Sequence, residues 1–293
     1  KFYSSSSRIA QIGDLSSAYQ AFDPSAGSQV TKNMELKIPR GRLDDRQSLL
    51  ASLDALKRQA DSNDAMTGFD KFNRQAFDVI LGGVADAFDL SKEDPRTLEM
   101  YDTSEHVIPK AVLKRKKSNT AQFAPVALGK QMLMARRLCE AGCGYVTVSS
   151  AGWDMHGNAF GVDDGMACLG PAVDQAVAAF LQDLEQRGLS EKILLVITGE
   201  FGRTPKINSK GGRDHWGNLC TLALAGGGLN MGQVIGRSDP RVGVPASDPV
   251  SVPNLMRTIM GVLFDVGQLR IAPGVPAEIS RYVDNSQPIP GLS

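Results

Sequence analysis

The feature that most constrains the fold is a nearly all-apolar run at residues 193–197, Ile-Leu-Leu-Val-Ile. A run without alternating polar residues is typical of a strand that is covered on both faces, as in a parallel sheet. A β-branched run at residues 145–148 predicts a second buried strand, and residues 219–225 predict a third. We therefore expect an α/β fold in which a mostly parallel sheet carries helices on both faces.

Helical patterns surround these strands. Residues 121–140 predict one helix, Pro171 predicts the first turn of a second, and residues 253–264 predict a third. The strand at 145–148, the helix from Pro171 and the strand at 193–197 would together form a right-handed βαβ unit.

The chain divides by composition into three parts. Residues 1–41 are rich in Ser, Gly and Pro and predict an irregular arm. Apolar residues at helical spacing within 44–56 and 72–80 predict a helical insertion or cap across residues 42–120. Residues 121–293 carry the predicted strands and therefore form the α/β core.

Charge and hydropathy exclude several classes of partner. Lys and Arg together number 32 and so do Asp and Glu, which argues against nucleic acid or an anionic membrane as a partner. No apolar run approaches the ~18 residues of a membrane-spanning helix.

Cys139 and Cys143 do not have the spacing of a zinc ribbon, so we interpret the cysteines as small buried thiols. The glycines at 226–228 lack the context of a phosphate-binding loop and predict a turn.

Three polar clusters adjoin the predicted strands. Residues 152–156 (Gly-Trp-Asp-Met-His) follow the first strand, residues 199–205 follow the second, and residues 211–216 precede the third. Ligands of open parallel sheets bind beyond the carboxyl ends of the strands, which is where we expect these clusters to meet. Two of the three histidines of the chain lie in them.

The clusters contain the side chains of a metal site. Asp154 and His156 are two residues apart, which places both on one face of an extended backbone. Glu200 comes from the neighbouring strand end, and His215 comes from a loop that glycines allow to fold closely. Mixed histidine and carboxylate ligands suit Zn²⁺, Mn²⁺ or iron better than Ca²⁺.

Two further residues have expected roles beside the metal. Asp214 is either a ligand or the residue that orients His215, and Arg203 can hold an oxyanion through its planar fork. Each residue also has an ordinary interpretation: Asp154 as a turn residue, Glu200 as a surface partner of Arg203, either histidine as a simple hydrogen-bonding group. Their placement after successive strands favours the metal site. His106 stands apart and is interpreted as an ordinary histidine.

At these three clusters the sequence resembles the family known as domain of unknown function 1501. The likeness extends to residues 42–46, 135–138 and 225–228. That family is similar to the alkaline phosphatase and sulfatase superfamily, which implies an α/β sandwich with metal ligands at strand ends. By this resemblance Asp154 and His156 match an Asp–His ligand pair and His215 matches a late His ligand.

Other positions depart from the superfamily's pattern. Glu200 stands where those enzymes usually carry Asp, and Phe201 stands where many carry another ligand His. Met155 replaces a Thr that is common in the family. The first strand of the superfamily, with an Asp ligand and a nucleophilic Ser or Thr, is expected upstream of Lys1, since residues 1–41 contain no such strand. We therefore expect an N-terminally truncated member, and the resemblance implies export by the twin-arginine route.

We expect a metal-dependent hydrolase that acts on a small anionic phosphate or sulfate ester and holds one or two divalent ions, Zn or Mn. One alternative is a non-catalytic exported binding or scaffold protein that retains the hydrolase fold. Another is a serine hydrolase that pairs Ser149 or Ser150 with His156 or His215, although the Gly-x-Ser-x-Gly elbow is missing. The sequence decides neither the substrate nor the oligomeric state.

Overall fold

A computed structural model describes residues 21–22, 38–46, 48–49, 84–115, 125–157, 160–273 and 275–292. The chain forms two compact units, one of residues 1–93 with 137–145 and the other of residues 94–136 with 146–293. Residues 44–46 and 48–49 are helical, as their spacing predicts. The remainder of the predicted helices at 44–56 and 72–80 lies outside the described residues.

The regular elements are short apart from two long helices. In chain order the helices are α1 (Val84–Ala87), α2 (Pro95–Met100), α3 (Lys110–Arg115), α4 (Pro125–Glu140), α5 (Val162–Gln186), α6 (Val252–Leu263), α7 (Val266–Ile271) and α8 (Ala277–Asn285), with a 3-10 turn at Leu90–Lys92. The strands are β1 (Leu194–Ile197), β2 (Gly202–Arg203), β3 (His215–Trp216) and β4 (Ala223–Gly226). No helix among the described residues combines the length and apolarity needed to cross a membrane.

The strands pair differently from the prediction. β1 pairs antiparallel with β4, and β2 pairs antiparallel with β3. Within the described parts of the chain the only sheets are these two-stranded ones, so the protein mixes helix and strand without the expected parallel sheet. A parallel pair needs a crossover, which is usually a helix. The chain between β1 and β4 instead contains the β2–β3 pair. β4 therefore runs beside β1 in the opposite direction.

The predicted strand at residues 145–148 is wrong, and with it the βαβ unit. These residues have no strand partner, and the Tyr145 side chain is 69% exposed. A run of four residues with strand propensity does not form a strand without a neighbour to accept its backbone hydrogen bonds. The run at 193–197 does form β1, yet Ile197 is 37% exposed, so the strand is not covered on both faces.

Helix α5 begins nine residues before the predicted start at Pro171, which lies inside the helix. Gly161 is the N-cap residue, and Asp163 and Asp164 in the first turn favour the start through the helix dipole. The buried residues of α5 recur at helical spacing: Gly165, Cys168, Leu169, Ala172, Ala176, Ala179, Phe180, Asp183 and Leu184. This apolar face decides the length of the helix more strongly than the proline does.

The other two helices agree with the prediction. α4 covers the described part of residues 121–140, and α6 covers residues 252–263. In the second unit a core cluster forms beneath the start of α5, and it consists of Val112, Met155, Phe160, Cys168 and Leu169. Met155 in this cluster fixes the segment that carries the candidate site.

A buried charged network, the Asp183 network, joins α4, α5 and Tyr101. The Arg136 Nε donates to Asp183 Oδ2 at 2.8 Å, and the Tyr101 hydroxyl donates to the same oxygen at 3.0 Å. The Arg187 Nε donates to Asp183 Oδ1 at 2.6 Å. Arg136 and Asp183 are almost completely buried. Burial and the nearby Asp183 charge raise the pKa of Tyr101 far above its ordinary value of 10.0.

Candidate metal centre

The segment before α5 presents Asp154 and His156 on one side. Met155 between them is 6% exposed and packs into the core cluster. The Met155 N–H donates to the Trp153 carbonyl at 3.0 Å, so the backbone turns at Asp154, and burial of Met155 leaves Asp154 and His156 on the more exposed side. The Asp154 Oδ1 lies 2.7 Å from the His156 Nε2.

A glycine-rich loop between β2 and β3 docks against this segment. The Arg213 backbone N–H donates to the Met155 carbonyl at 2.9 Å, and the Val162 N–H donates to the Gly211 carbonyl at 2.9 Å. A Cβ at Gly212 would overlap the backbone of His156. Only glycine allows so close an approach, which explains why this loop is rich in glycine.

The β2–β3 pairing brings the remaining charged groups to the site. Arg203 and His215 are directly opposite each other in the register of the two strands. The Arg203 Nη1 donates to Asp154 Oδ1 at 2.8 Å, and the His215 Nε2 lies 3.1 Å from the same oxygen. Phe201 packs against His215, with ring centroids 4.5 Å apart.

Asp154, His156 and His215 form what we call the ligand triad. The two Nε2 atoms of His156 and His215 are 2.9 Å apart. One ligand atom from each of the three residues lies within 4.8 Å of the other two. Asp154 and His215 are exposed and His156 is half-buried, so the triad is open to solvent on one side.

The hydrogen bonds around His156 determine which ring nitrogen faces the triad. The His156 Nδ1 lies 3.3 Å from Asp214 Oδ1. A hydrogen bond from Asn208, and then the one from His156, lower the pKa of Asp214, so this carboxylate is ionised and can only accept. The His156 Nδ1 is therefore the nitrogen that donates to Asp214, and the Nε2 is the ring nitrogen that faces Asp154 and His215.

This arrangement fits a bound cation. The His156 Nε2 lies 2.7 Å from an anionic oxygen of Asp154 and 2.9 Å from a second imidazole nitrogen, that of His215. A positive charge among the three atoms satisfies all of them at once. One carboxylate oxygen and two imidazole nitrogens are the donor set that Zn²⁺ and Mn²⁺ accept and that Ca²⁺ does not favour.

Asp214 was expected either to be a ligand or to orient His215. Its carboxylate contacts the ring of His156, the other histidine of the triad. The backbone explains the difference, because the Thr204 N–H donates to the Asp214 carbonyl and the Asp214 N–H donates to Thr204 Oγ1. These bonds hold Asp214 at the end of the loop, from where its side chain reaches across to His156.

Asp154 is held as an anion by its cationic neighbours. Partial burial favours the neutral acid, but hydrogen bonds from Arg203 and His215 outweigh it and lower the pKa of Asp154 below its ordinary value. The carboxylate is therefore charged at neutral pH, as a metal ligand must be.

The structure does not bring Glu200 into the ligand triad. Its Oε1 lies 3.5 Å from the Arg203 Nη2, and its side chain is 58% exposed. Arg203 thus lies between the carboxylates of Asp154 and Glu200. The assignment of Glu200 as a ligand stays a prediction.

The aromatic and serine residues near the site have other contacts. Trp153 packs against the core cluster and its Nε1 donates to Ser150 Oγ at 3.0 Å. Trp216 donates to the Gly243 carbonyl at 2.8 Å. Among the described hydrogen bonds none joins Ser149 or Ser150 to a histidine, so the contacts give no support to a serine nucleophile.

Asn208 contacts both sides of the site, and its sequence context did not predict this. Its Nδ2 lies 3.1 Å from the His156 carbonyl and 3.1 Å from Asp214 Oδ1. An asparagine followed by glycines is a pattern typical of a turn. That pattern predicts the loop but not the contact with His156, which is 52 positions away in the sequence.

Comparison with known proteins identifies one family. A model described as "Protein of unknown function (DUF1501)" matches residues 3–273, which is most of the chain. No curated protein and no solved structure matches.

Proposed function

The chain belongs to the DUF1501 family, and from that premise we propose that it is a metal-dependent hydrolase of phosphate or sulfate esters. The description of the family names no activity. The class of reaction therefore rests on the side chains around Asp154 and on the resemblance of their motifs to the alkaline phosphatase and sulfatase superfamily. Zn and Mn are the metals that the donor set favours.

The observation that carries the proposal is the ligand triad. Three potential ligand atoms from two separate parts of the chain come within 2.7–3.1 Å of one another. The Asp214 carboxylate lies on the His156 Nδ1, the ring nitrogen away from the triad, and such a contact is usual for metal-binding histidines in other proteins.

Arg203 is the residue that we assign to the anionic group of the substrate. A guanidinium has five N–H donors, and the described bonds to Asp154 and Glu200 use two of them. The planar fork can offer the others to a phosphate or sulfate oxygen. A divalent metal in the triad would supply a Lewis acid for the ester oxygen.

Metal content and hydrolysis together test the proposal. The full chain would be loaded with Zn²⁺ or Mn²⁺, dialysed and assayed for bound metal and for hydrolysis of p-nitrophenyl phosphate and p-nitrophenyl sulfate. We expect stoichiometric metal in the wild type, loss of metal and activity in His215→Ala, and no change in the control His106→Ala. His106 contacts Gln175 instead of the triad.

The outcomes separate the two functions that we consider. No stoichiometric metal in the wild type would rule out both the metal site and the hydrolase. Bound metal with neither ester hydrolysed would favour the non-catalytic binding or scaffold protein. For a hydrolase, Arg203→Lys should raise KM more than it lowers kcat, because lysine keeps the charge but loses the fork.

We also propose, by resemblance alone, that the protein is exported by the twin-arginine route. Cell fractionation of the product of the full gene tests this. Retention in the cytosolic fraction would contradict it and would leave the metal proposal unaffected.

A further inference from the structure

Asn208 has the most complete set of hydrogen bonds in the loop between β2 and β3. Its Oδ1 accepts from the Lys210 N–H at 2.9 Å and from the Gly212 N–H at 3.0 Å. Its Nδ2 donates to the His156 carbonyl and to Asp214 Oδ1, both at 3.1 Å. A side-chain amide has two donor hydrogens and two acceptor lone pairs, so all four positions are used.

The Oδ1 and the Nδ2 of the Asn208 side-chain amide have different roles. The acceptor bonds to Lys210 and Gly212 lie within the loop and shape its turn, a common role of asparagine. The donor bonds leave the loop and reach the two groups that surround His156. One fixes the backbone of His156, and the other fixes the carboxylate that accepts from its ring.

The close contact of Gly212 with the His156 backbone brings the Asn208 side chain within hydrogen-bonding distance of its partners. Gly212 lies against the backbone of His156, where a Cβ would not fit. The Gly212 N–H is also one of the two that Asn208 Oδ1 accepts. The close approach therefore places the Asn208 side chain between the loop and the His156 segment.

We propose that Asn208 is a positioning residue of the metal centre: it holds the His156 backbone and the Asp214 carboxylate that lies on His156 Nδ1, and thereby fixes the ring with its Nε2 toward the triad. This rests on the proposed metal site but not on hydrolysis. A turn residue needs only the acceptor half of the amide. The donor half has no part in the turn, and it is what the proposal explains.

The test uses two variants of the full chain. Asn208→Asp keeps the acceptor oxygen for the turn and replaces both donors with an oxygen that repels Asp214. Asn208→Ser removes both Nδ2 donors without adding charge and leaves one hydroxyl donor on a shorter side chain. Asn230→Asp adds the same charge in the turn after β4 and is the control. Zn²⁺ affinity would be measured by competition with a chromophoric chelator, with thermal unfolding of the metal-free proteins in parallel.

We expect both Asn208 variants to bind Zn²⁺ about 10–100-fold more weakly than the wild type, the usual effect of losing a group that orients a ligand. Asn230→Asp should bind as the wild type does. Wild-type affinity in both Asn208 variants would overturn the proposal.

A second readout does not depend on metal. Long-range ¹H–¹⁵N spectra of the metal-free proteins report the surroundings of each ring nitrogen of His156. We expect the Nδ1 chemical shift to change in both Asn208 variants and to stay as in the wild type in Asn230→Asp. An unchanged Nδ1 shift in the Asn208 variants would overturn the proposal even if Zn²⁺ binding failed in the wild type, in which case only the metal site itself would be lost.

Discussion

The second unit contains two charged clusters of similar composition, the Asp183 network and the ligand triad with Arg203. In both, an aspartate oxygen accepts from an arginine at 2.8 Å and from another donor near 3 Å. In the network every group around Asp183 is a fixed donor, and Arg136 and Asp183 are about 1–2% exposed. In the triad the aspartate and histidine side chains are 39–59% exposed.

The difference lies in how the hydrogen-bonding groups are matched. The Asp183 network pairs acceptors with donors and has no need of a ligand. In the triad two imidazole Nε2 atoms and one Asp154 oxygen lie within 2.7–3.1 Å of one another, and their side chains are largely open to solvent. Matched buried charges stabilise a fold, whereas unmatched groups open to solvent are typical of a binding site.

The largest effect is expected in the buried cluster. Arg136→Met removes a buried cation from Asp183 and should lower the free energy of unfolding by about 3–5 kcal/mol, because the carboxylate loses its main partner. Lys92→Met breaks the exposed pair with Asp86 and should lower the free energy of unfolding far less, because solvent screens that pair. Urea unfolding of the two variants measures both. Equal losses would mean that burial does not distinguish these pairs.

A bound metal should stabilise the exposed cluster. At a free Zn²⁺ concentration about 100-fold above Kd the unfolding free energy should rise by about 2.7 kcal/mol, since the ion binds only the folded protein. His215→Ala should abolish this increase. His106→Ala should retain it. Stabilisation by Zn²⁺ that persists in His215→Ala would place the metal elsewhere.

The sequence predicted the side chains of the site better than the sheet that carries them. Asp154 and His156 share a side because of a two-residue spacing, and this local rule does not depend on which strands pair. His215 joins them through a loop whose glycines are visible in the sequence. Strand direction could not be predicted in the same way, because the run at 193–197 has the same composition in a parallel or an antiparallel pair.

The errors at Pro171 and Tyr145 have a similar origin. A proline at the start of a helix and a short β-branched run are local signals. Whether the predicted element forms at either place depends on contacts, present or absent, with residues distant in sequence. The face of α5 that packs on the core extends the helix before Pro171, and no strand neighbours Tyr145 within the described chain. Asn208 was missed because its partners, His156 and Asp214, are recognised only after the loop has folded.

The docking of the loop can be tested with two glycines. Gly212→Ala introduces a Cβ that overlaps the His156 backbone, and it should destabilise the protein by about 1–3 kcal/mol as an overpacked position does. It should also weaken Zn²⁺ binding, because the loop carries Asp214 and His215. Gly217→Ala is the control, since a Cβ there meets no atom within 4 Å.

Thermal unfolding and the chelator competition measure the two effects. If Gly212→Ala binds Zn²⁺ as tightly as Gly217→Ala does, the close approach of the loop is not what assembles the triad.

The smallest effect is a pH dependence that belongs to the buried cluster. Burial and the Asp183 charge raise the pKa of Tyr101 above 10.0, so above about pH 10 the unfolded chain releases the phenol proton while the folded protein keeps it. The unfolded state then binds fewer protons, and the free energy of unfolding falls by up to about 1.4 kcal/mol per pH unit.

Tyr101→Phe should remove this contribution to the slope of the unfolding free energy against pH in the alkaline range. Tyr145→Phe, at an exposed position, should leave the slope as it is. Urea unfolding at intervals between about pH 9.5 and 11 measures the slopes, and a wild-type slope in Tyr101→Phe would mean that the phenol is not held neutral beside Asp183.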